Sequence, residues 1–173
     1  YLNQLREVSQ LFEQGGTAMT IALQKVKRLW GQIQQGQAWA AGHLDVFEAA
    51  SMCLAFSETT TDLLMAFQPL EERIRWLSDS LAAARRIGNH AAEARFLIEL
   101  GEVRLFRGQE PIDKSIALVK EALALAREHQ LPAPEARALL SLGRIESLHP
   151  SNWNRAREMM TEALSKFRGI NDS

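Results

Sequence analysis

The side chains of this chain that could perform chemistry are four histidines, one cysteine and several paired carboxylates. A metal site on a helix needs ligands three or four residues apart, so that they share one face. His43, His90, His129 and His149 have no His or Cys at those spacings. The nearest pairing, His90 with Glu93, reads as a solvated turn. Cys53 lies inside the apolar run Met52-Cys53-Leu54-Ala55-Phe56. With no nearby cation to lower its pKa, it reads as a buried structural thiol rather than a nucleophile. Glu71-Glu72, Glu99 with Glu102, and Glu158 with Glu162 are candidates for general acid–base work. That work needs a desolvated pair converging on a cleft. Carboxylates at these helical spacings read more simply as solvated faces. No Ser/His/Asp or Cys/His arrangement has local support, and no Gly-x4-Gly-Lys-Ser/Thr phosphate loop occurs. The expectation is a non-catalytic chain with no metal and no cofactor.

The elements that would position these groups are helical throughout. Proline and glycine punctuate the sequence: Pro69, Pro111 and Pro150 each open a periodic segment, while Gly88 and Gly108 close one. Gly15-Gly16 separates a short first helix from a long second one, and Gln130-Leu131-Pro132-Ala133-Pro134 is a further break. Between the breaks apolar residues recur every three or four positions, as in Ile112, Ile116, Val119, Leu123 and Ala126. No stretch alternates with a period of two, so no strand is expected. The spacing predicts helices near 3–14, 17–42, 45–56, 59–67, 70–88, 90–107, 112–130, 134–148 and 152–168, with short loops turning neighbours antiparallel. Trp30 and Trp39, nine residues apart on one helix, do not share a face. They are expected in the core of the first helices, and Trp153 is expected at a partly exposed helix start.

Bulk properties narrow the function classes. The 173 residues suffice for a real core, and the net charge of −1 makes no global case for nucleic acid or an anionic membrane. Arg85, Arg86, Arg95, Arg104 and Arg107 are interleaved with acidic residues and lack an aromatic stacking partner, which argues against nucleic acid. A single cysteine excludes an internal disulfide framework and fits a reducing compartment. No apolar run approaches the roughly 20 residues of a membrane span. The chain opens on Tyr1 with no signal segment, so it reads as a cytoplasmic piece of something longer.

A 42-residue repeat relates residues 81–104 to 123–146. Leu81/Leu123, Arg85/Arg127, Glu93/Glu135, Ala94/Ala136, Arg95/Arg137, Leu97/Leu139, Leu100/Leu142 and Gly101/Gly143 coincide. Such a period marks a stacked helical array and moves the question from catalysis to surface recognition. The first helices carry Leu97-x2-Leu100-Gly101 and Leu139-x2-Leu142-Gly143. The second helices carry Ser115-x3-Val119-x2-Ala122-Leu123 and Ala156-x3-Met160-x2-Ala163-Leu164. This pattern resembles the tetratricopeptide repeat. Small residues would let paired helices approach while leucines fill the seam. Arg104 and Glu146 depart from the family's preference for a large aromatic, and the loops are longer than its consensus. The resemblance implies an all-α fold: antiparallel helix pairs stacked as a short right-handed superhelix of about two and a half units over 69–173. Residues 1–68 would form an N-terminal helical linker or cap.

By that register the first helices line a concave groove, with Arg95, Ile98, Glu99, Glu102 and Leu105 from one unit. Arg137, Leu140, Ser141, Arg144 and Ser147 come from the next. Repeat arrays hold extended or helical segments on such faces. The arginines would favour an acidic group on the partner, although they could equally pair with Glu93, Glu99, Glu102 and Glu135. The Lys/Asn carboxylate clamp of some chaperone-binding relatives is not matched. Leu11-Phe12-Glu13-Gln14-Gly15-Gly16, Trp30-x2-Ile33-x2-Gly36-Gln37-Ala38-Trp39-Ala40 and Glu72-Arg73-Ile74-Arg75-Trp76-Leu77 resemble the helical linker of bacterial NB-ARC/STAND signalling ATPases. That likeness implies a sensor arm whose partner is a protein or peptide segment, with no nucleic acid and no membrane. The alternative is a free-standing adaptor. The ending Phe167-Arg168-Gly169-Ile170-Asn171-Asp172 looks like a turn into another unit. The last helix would then expose an apolar face capable of self-association.

Overall fold

The computed structural model describes residues 2–59, 68–107 and 111–171. Among them are eight α-helices and no strand: α1 Leu2–Glu13, α2 Gly16–Ala41, α3 Phe47–Thr59, α4 Leu70–Ile87, α5 His90–Arg107, α6 Ile112–Glu128, α7 Pro132–Glu146 and α8 Trp153–Asn171. A 3-10 turn, Pro150–Asn152, leads into α8. The helices expected near 3–14, 17–42, 70–88, 90–107, 112–130 and 152–168 are present within a few residues. The one expected near 59–67 and the closing Gly108 lie outside the described residues, apart from Thr59 at the end of α3. Two starts differ. The third helix begins at Phe47, after a turn in which the Val46 amide donates to the His43 carbonyl at 3.0 Å. The seventh begins at Pro132 rather than 134. Both prolines of its Pro-Ala-Pro start lie in a first turn, where a missing N–H breaks no helical hydrogen bond.

The chain forms two compact units, Tyr1–Gly88 and Asn89–Ser173. In the first, α1, α2, α3 and α4 pack successively on one another. Leu5, Ile33, Phe56 and Trp76 make its main core, and Val8, Ala22 and Val26 make a second cluster, with Trp30 packed against both. Each such large side chain contributes about 1.5–3 kcal/mol on burial. Trp30 stacks on Trp76 at 5.6 Å between centroids, and Phe56 meets Trp76 edge-on at 6.3 Å. Gly36 gives Phe56 its room, since a Cβ there would lie 2.9 Å from the ring. Trp39 departs from its expected core position. It is 52% exposed and lies over His43 on the outer face of α2, for the reason its spacing from Trp30 implies.

In the second unit α5 packs on α6, α6 on α7 and α7 on α8, and α5 also touches α7. Asn89 caps α5 by accepting the Ala92 amide at 3.1 Å. The two sequence copies end their preceding helices alike. Gly88, φ 68°, and Gln130, φ 52°, hold the same left-handed position one period apart, so the second copy adopts without glycine a turn that glycine makes easily. The Leu131 amide closes that turn on the Ala126 carbonyl at 2.8 Å.

The repeated glycines sit where helices come closest. A Cβ on Gly101 would lie 2.7 Å from Val119 Cγ2 and 3.0 Å from the Ser115 carbonyl oxygen. One on Gly143 would lie 2.8 Å from Met160 Cγ and 3.1 Å from the Ala156 carbonyl oxygen. The same pair of positions on the second helix meets the glycine each time. Gly101→Ala and Gly143→Ala should therefore each lower stability by about 1–3 kcal/mol in denaturant melts. Gly31, in the middle of α2 with nothing within 4 Å, should gain about 0.5–1 kcal/mol as alanine. Equal effects at the three sites would overturn this packing assignment.

Candidate functional site

Glu102 and Leu105 sit one turn apart on α5. Ser141, Arg144, Ile145 and Leu148 follow at helical spacing along α7 and just past its end. Together with Ser147 they line a concave pocket of about 300 Å³, a size that suits one side chain or one small molecule. Leu105, Ile145 and Leu148 supply apolar wall, and Leu148 is 59% exposed at its rim. Ser141 is only 2% exposed, and its hydroxyl has no hydrogen-bond partner among the described residues. A buried hydroxyl left unpaired costs stability. Glu102 and Arg144 have no ion-pair partner among the described residues. The pocket is thus a mostly apolar concavity with Glu102, Ser141 and Arg144 among its lining residues.

The ten residues expected on the groove do not share one environment. Glu102, Ser141 and Arg144 line the pocket. Arg95 and Arg137 instead converge on Glu99, whose Oε1 is 3.9 Å from Arg95 Nε and 3.8 Å from an Arg137 terminal nitrogen. Glu99 is 5% exposed, so these two guanidinium groups neutralise a buried carboxylate between α5 and α7. Arg95 also covers the face of Phe96 at 4.6 Å. Ile98, expected on the groove, is fully buried; its side chain serves the core beside Leu97. Leu148 and Ile145 were not anticipated. Their signal was the Ser141, Ile145, Leu148 stripe, which continues the face past the last residue counted.

A second group of charges ties three helices of this unit together. Arg127 Nε donates to Glu135 Oε1 at 3.0 Å, and its terminal nitrogen reaches Glu162 Oε1 at 3.2 Å. Lys166 Nζ lies 2.9 Å from Glu135 Oε2. This network joins α6, α7 and α8, and its Arg-to-Glu spacing is one of the coincidences between the two copies. Burial alone would raise the Glu135 carboxyl, but hydrogen bonds from Lys166 and Arg127, with their charges, outweigh it and hold the carboxyl below its usual range. Glu146, also buried, accepts from Asn152 Nδ2 at 2.7 Å and approaches Arg155 at 3.5 Å.

His90, His129 and Cys53 are structurally occupied. His90 and His129 stack face to face, 3.7 Å apart and 11° from parallel, with Glu93 3.6 Å from His90 Nδ1. Parallel rings do not converge their nitrogens on one ion. Among the described residues no group of three His, Cys, Asp or Glu side chains is placed to hold a metal. In the first unit Gln37 Nε2 donates to Asp79 Oδ2 at 2.9 Å, and the Ser57 and Ser80 hydroxyls bond at 2.7 Å. Cys53 is fully buried beside them. Burial, then the Asp79 charge, pushes its thiol up to about 11, the opposite of what a nucleophile needs. On α8, Trp153, Met160 and Leu164 line a shallow apolar concavity of about 340 Å³, and Trp153 is 62% exposed. No described helix is long and apolar enough to cross a membrane.

Two pH effects follow. The raised Cys53 pKa means the folded chain keeps a proton that the unfolded chain loses near its ordinary value of 9.0. Stability should fall as pH rises from about 9 to about 11, and Cys53→Ala should flatten that part of the wild-type curve. The lowered Glu135 pKa has the opposite sign: its contribution is present above the ordinary carboxylate range and is lost as pH falls through the lowered folded value. Glu135→Gln should cost about 1 kcal/mol near neutrality, with the difference from wild type vanishing in acid. Melting midpoints across pH for the two variants check both.

Set against protein-family models and against curated proteins, the chain matches none, so its function rests on the geometry of these faces.

Proposed function

We propose that this chain is a non-catalytic recognition module whose α5–α7 face holds a segment of a partner protein. Its second unit is read as a short right-handed stack of tetratricopeptide-like helix pairs. The observation that carries the reading is the pocket bounded by Glu102, Ser141 and Arg144. It opens on the side of the first helices that this register assigns to the groove. The recurrence of the Gly101 and Gly143 contacts on equivalent positions of α6 and α8 supports the same register. The buried Glu99 between Arg95 and Arg137 narrows the recognition chemistry: Arg144 is the groove arginine left for an acidic group on the partner.

Within a longer protein the module would act as the sensor arm of a bacterial STAND-type switch, in the cytoplasm. The likeness of the first helices to the linker of such ATPases supports this. A phosphate loop encoded upstream of these helices in the same reading frame is the expected finding, and a start codon directly before Tyr1 would leave the adaptor reading in its place.

The binding reading is tested by affinity capture with the full chain. Arg144→Glu/Leu148→Asp, both at exposed positions, should lose the captured segment while leaving the unfolding free energy within about 0.5 kcal/mol of wild type. Lys120→Glu, exposed on α6, should retain it. Equal retention by all three proteins would place the partner elsewhere.

A further inference from the structure

The glycine contacts of the second unit put α6 and α8 in register. Gly101 meets Ser115 and Val119 on α6, and Gly143 meets Ala156 and Met160 on α8. In that register the sides turned to the glycines are closed alike: Ser115 and Ala156 are buried, as are Ala122 and Ala163. A neighbouring stripe differs. On α6 it reads Ile112, Ile116, Val119, Leu123 and Ala126, with Val119 and Ala126 buried and the others half-buried. On α8 it reads Trp153, Arg157, Met160, Leu164 and Phe167, and every position is more open. Met160 and Phe167 are half-buried, Arg157 is exposed, and Trp153 and Leu164 are 62% and 49% exposed. The cause is a missing neighbour. Helix α6 packs on both α5 and α7, whereas the main helical neighbour of α8 among the described residues is α7.

One period earlier the molecule itself supplies the cover. It is a helix, α7, entered through the short connection 129–131 and so antiparallel to α6. Its first-turn Glu135 accepts from Arg127 Nε at 3.0 Å. On α8 the place of Arg127 is held by Arg168, which is exposed and has no ion-pair partner among the described residues. Arg157, about three turns earlier, stands where α6 has Ile116, and its guanidinium is likewise without an ion-pair partner among them. Trp153 is held ready: its Nε1 donates to the Ser147 carbonyl at 3.2 Å, which fixes the ring while leaving it open. With Met160 and Leu164 it lines the shallow concavity of about 340 Å³. We propose that this stripe of α8 docks an acidic amphipathic helix of a partner protein, laid antiparallel as α7 lies on α6. The apolar face of that helix meets Trp153, Met160, Leu164 and Phe167. A glutamate in its first turn meets Arg168, as Glu135 meets Arg127, and a carboxylate about three turns later meets Arg157. A second copy fits less well, since its own α8 would set the same arginines against this stripe. The stripe is not the face that holds the α5–α7 pocket, although Ser147 borders both.

The test is isothermal titration calorimetry on the full chain with a helical probe peptide. The probe has the sequence of residues 131–147, in which Leu140→Lys and Arg144→Glu are joined by a side-chain lactam. Both positions are exposed on α7, so the bridge holds a helix too short to form alone without touching its docking face. Circular dichroism verifies that the probe is helical. Its Glu135 and Glu146 stand about three turns apart, as Arg168 and Arg157 do. The probe should bind saturably at one site. Leu164→Asp should weaken binding about tenfold or more, and Arg168→Glu about two- to fivefold. A probe carrying Glu135→Arg should bind the wild type more weakly and regain the loss on Arg168→Glu, a swap that a merely structural effect does not reproduce. Arg144→Glu in the protein should leave probe binding unchanged. Leu164 and Arg168 are exposed, so their variants should keep the wild-type melting midpoint. Absence of saturable binding at millimolar probe overturns the proposal. So does binding that Leu164→Asp and Arg168→Glu leave unchanged. Sedimentation of the chain alone is the second arm: a dimer that Leu164→Asp dissociates assigns the stripe to a second copy and also overturns it. If the probe fails while partner capture still depends on Arg144 and Leu148, only this inference falls and the protein-binding reading stands.

Discussion

The second unit depends on two absent methyl groups. At Gly101 and Gly143 the backbone of one helix lies against a carbonyl and a branched or long side chain of the next, closer than any Cβ would permit. Helix pairs usually settle at distances set by the side chains between them. Removing the side chain at one point on each first helix sets the spacing of α5 to α6 and of α7 to α8. Once those pairs are closed, Leu97, Leu100, Leu139 and Leu142 are buried. With α5 and α7 also in contact, the face they share becomes concave, and the pocket follows from the close approach.

Charge finishes what packing begins, and it does so in two ways. Where a carboxylate is buried between helices, as with Glu99 and Glu146, arginine or asparagine from a neighbouring element reaches it. An unpaired buried charge would be severely destabilising. Where α6, α7 and α8 meet at Arg127, Glu135, Glu162 and Lys166, the ions are more exposed and add orientation more than energy. The first unit solves its interior differently, with an aromatic stack of Trp30, Trp76 and Phe56 and a small polar set around Gln37, Cys53 and Asp79. The pocket between α5 and α7 has one acidic and one basic residue, Glu102 and Arg144, among its lining residues.

Helix positions were largely legible in the sequence because they answer to local rules. Proline opens a helix, a left-handed residue closes one, and apolar residues repeat with the helical period. The errors lay where two local rules compete. Pro132 and Pro134 read as a break, yet both fit a first turn. The glycines of the repeat were legible for a different reason: a position that needs close approach tolerates no side chain, so it recurs wherever the contact recurs. Trp39 was misplaced because an aromatic residue reads as core, although its angular offset from Trp30 already put it on another face.

By itself, then, the sequence determined the helical class, the order of the helices and the points where they touch, since each depends on residues within a turn or two of one another. Tertiary structure alone decided which polar groups on the first helices are free. Arg95, Arg137 and Arg144 are alike in type and share one face by register. Only the arrangement of α5 beside α7 brings Glu99 between the first two and leaves the third at the pocket. Pairing between helices is a matter of distances across the stack, and those distances are set by the glycine contacts between helices rather than by any spacing along the chain.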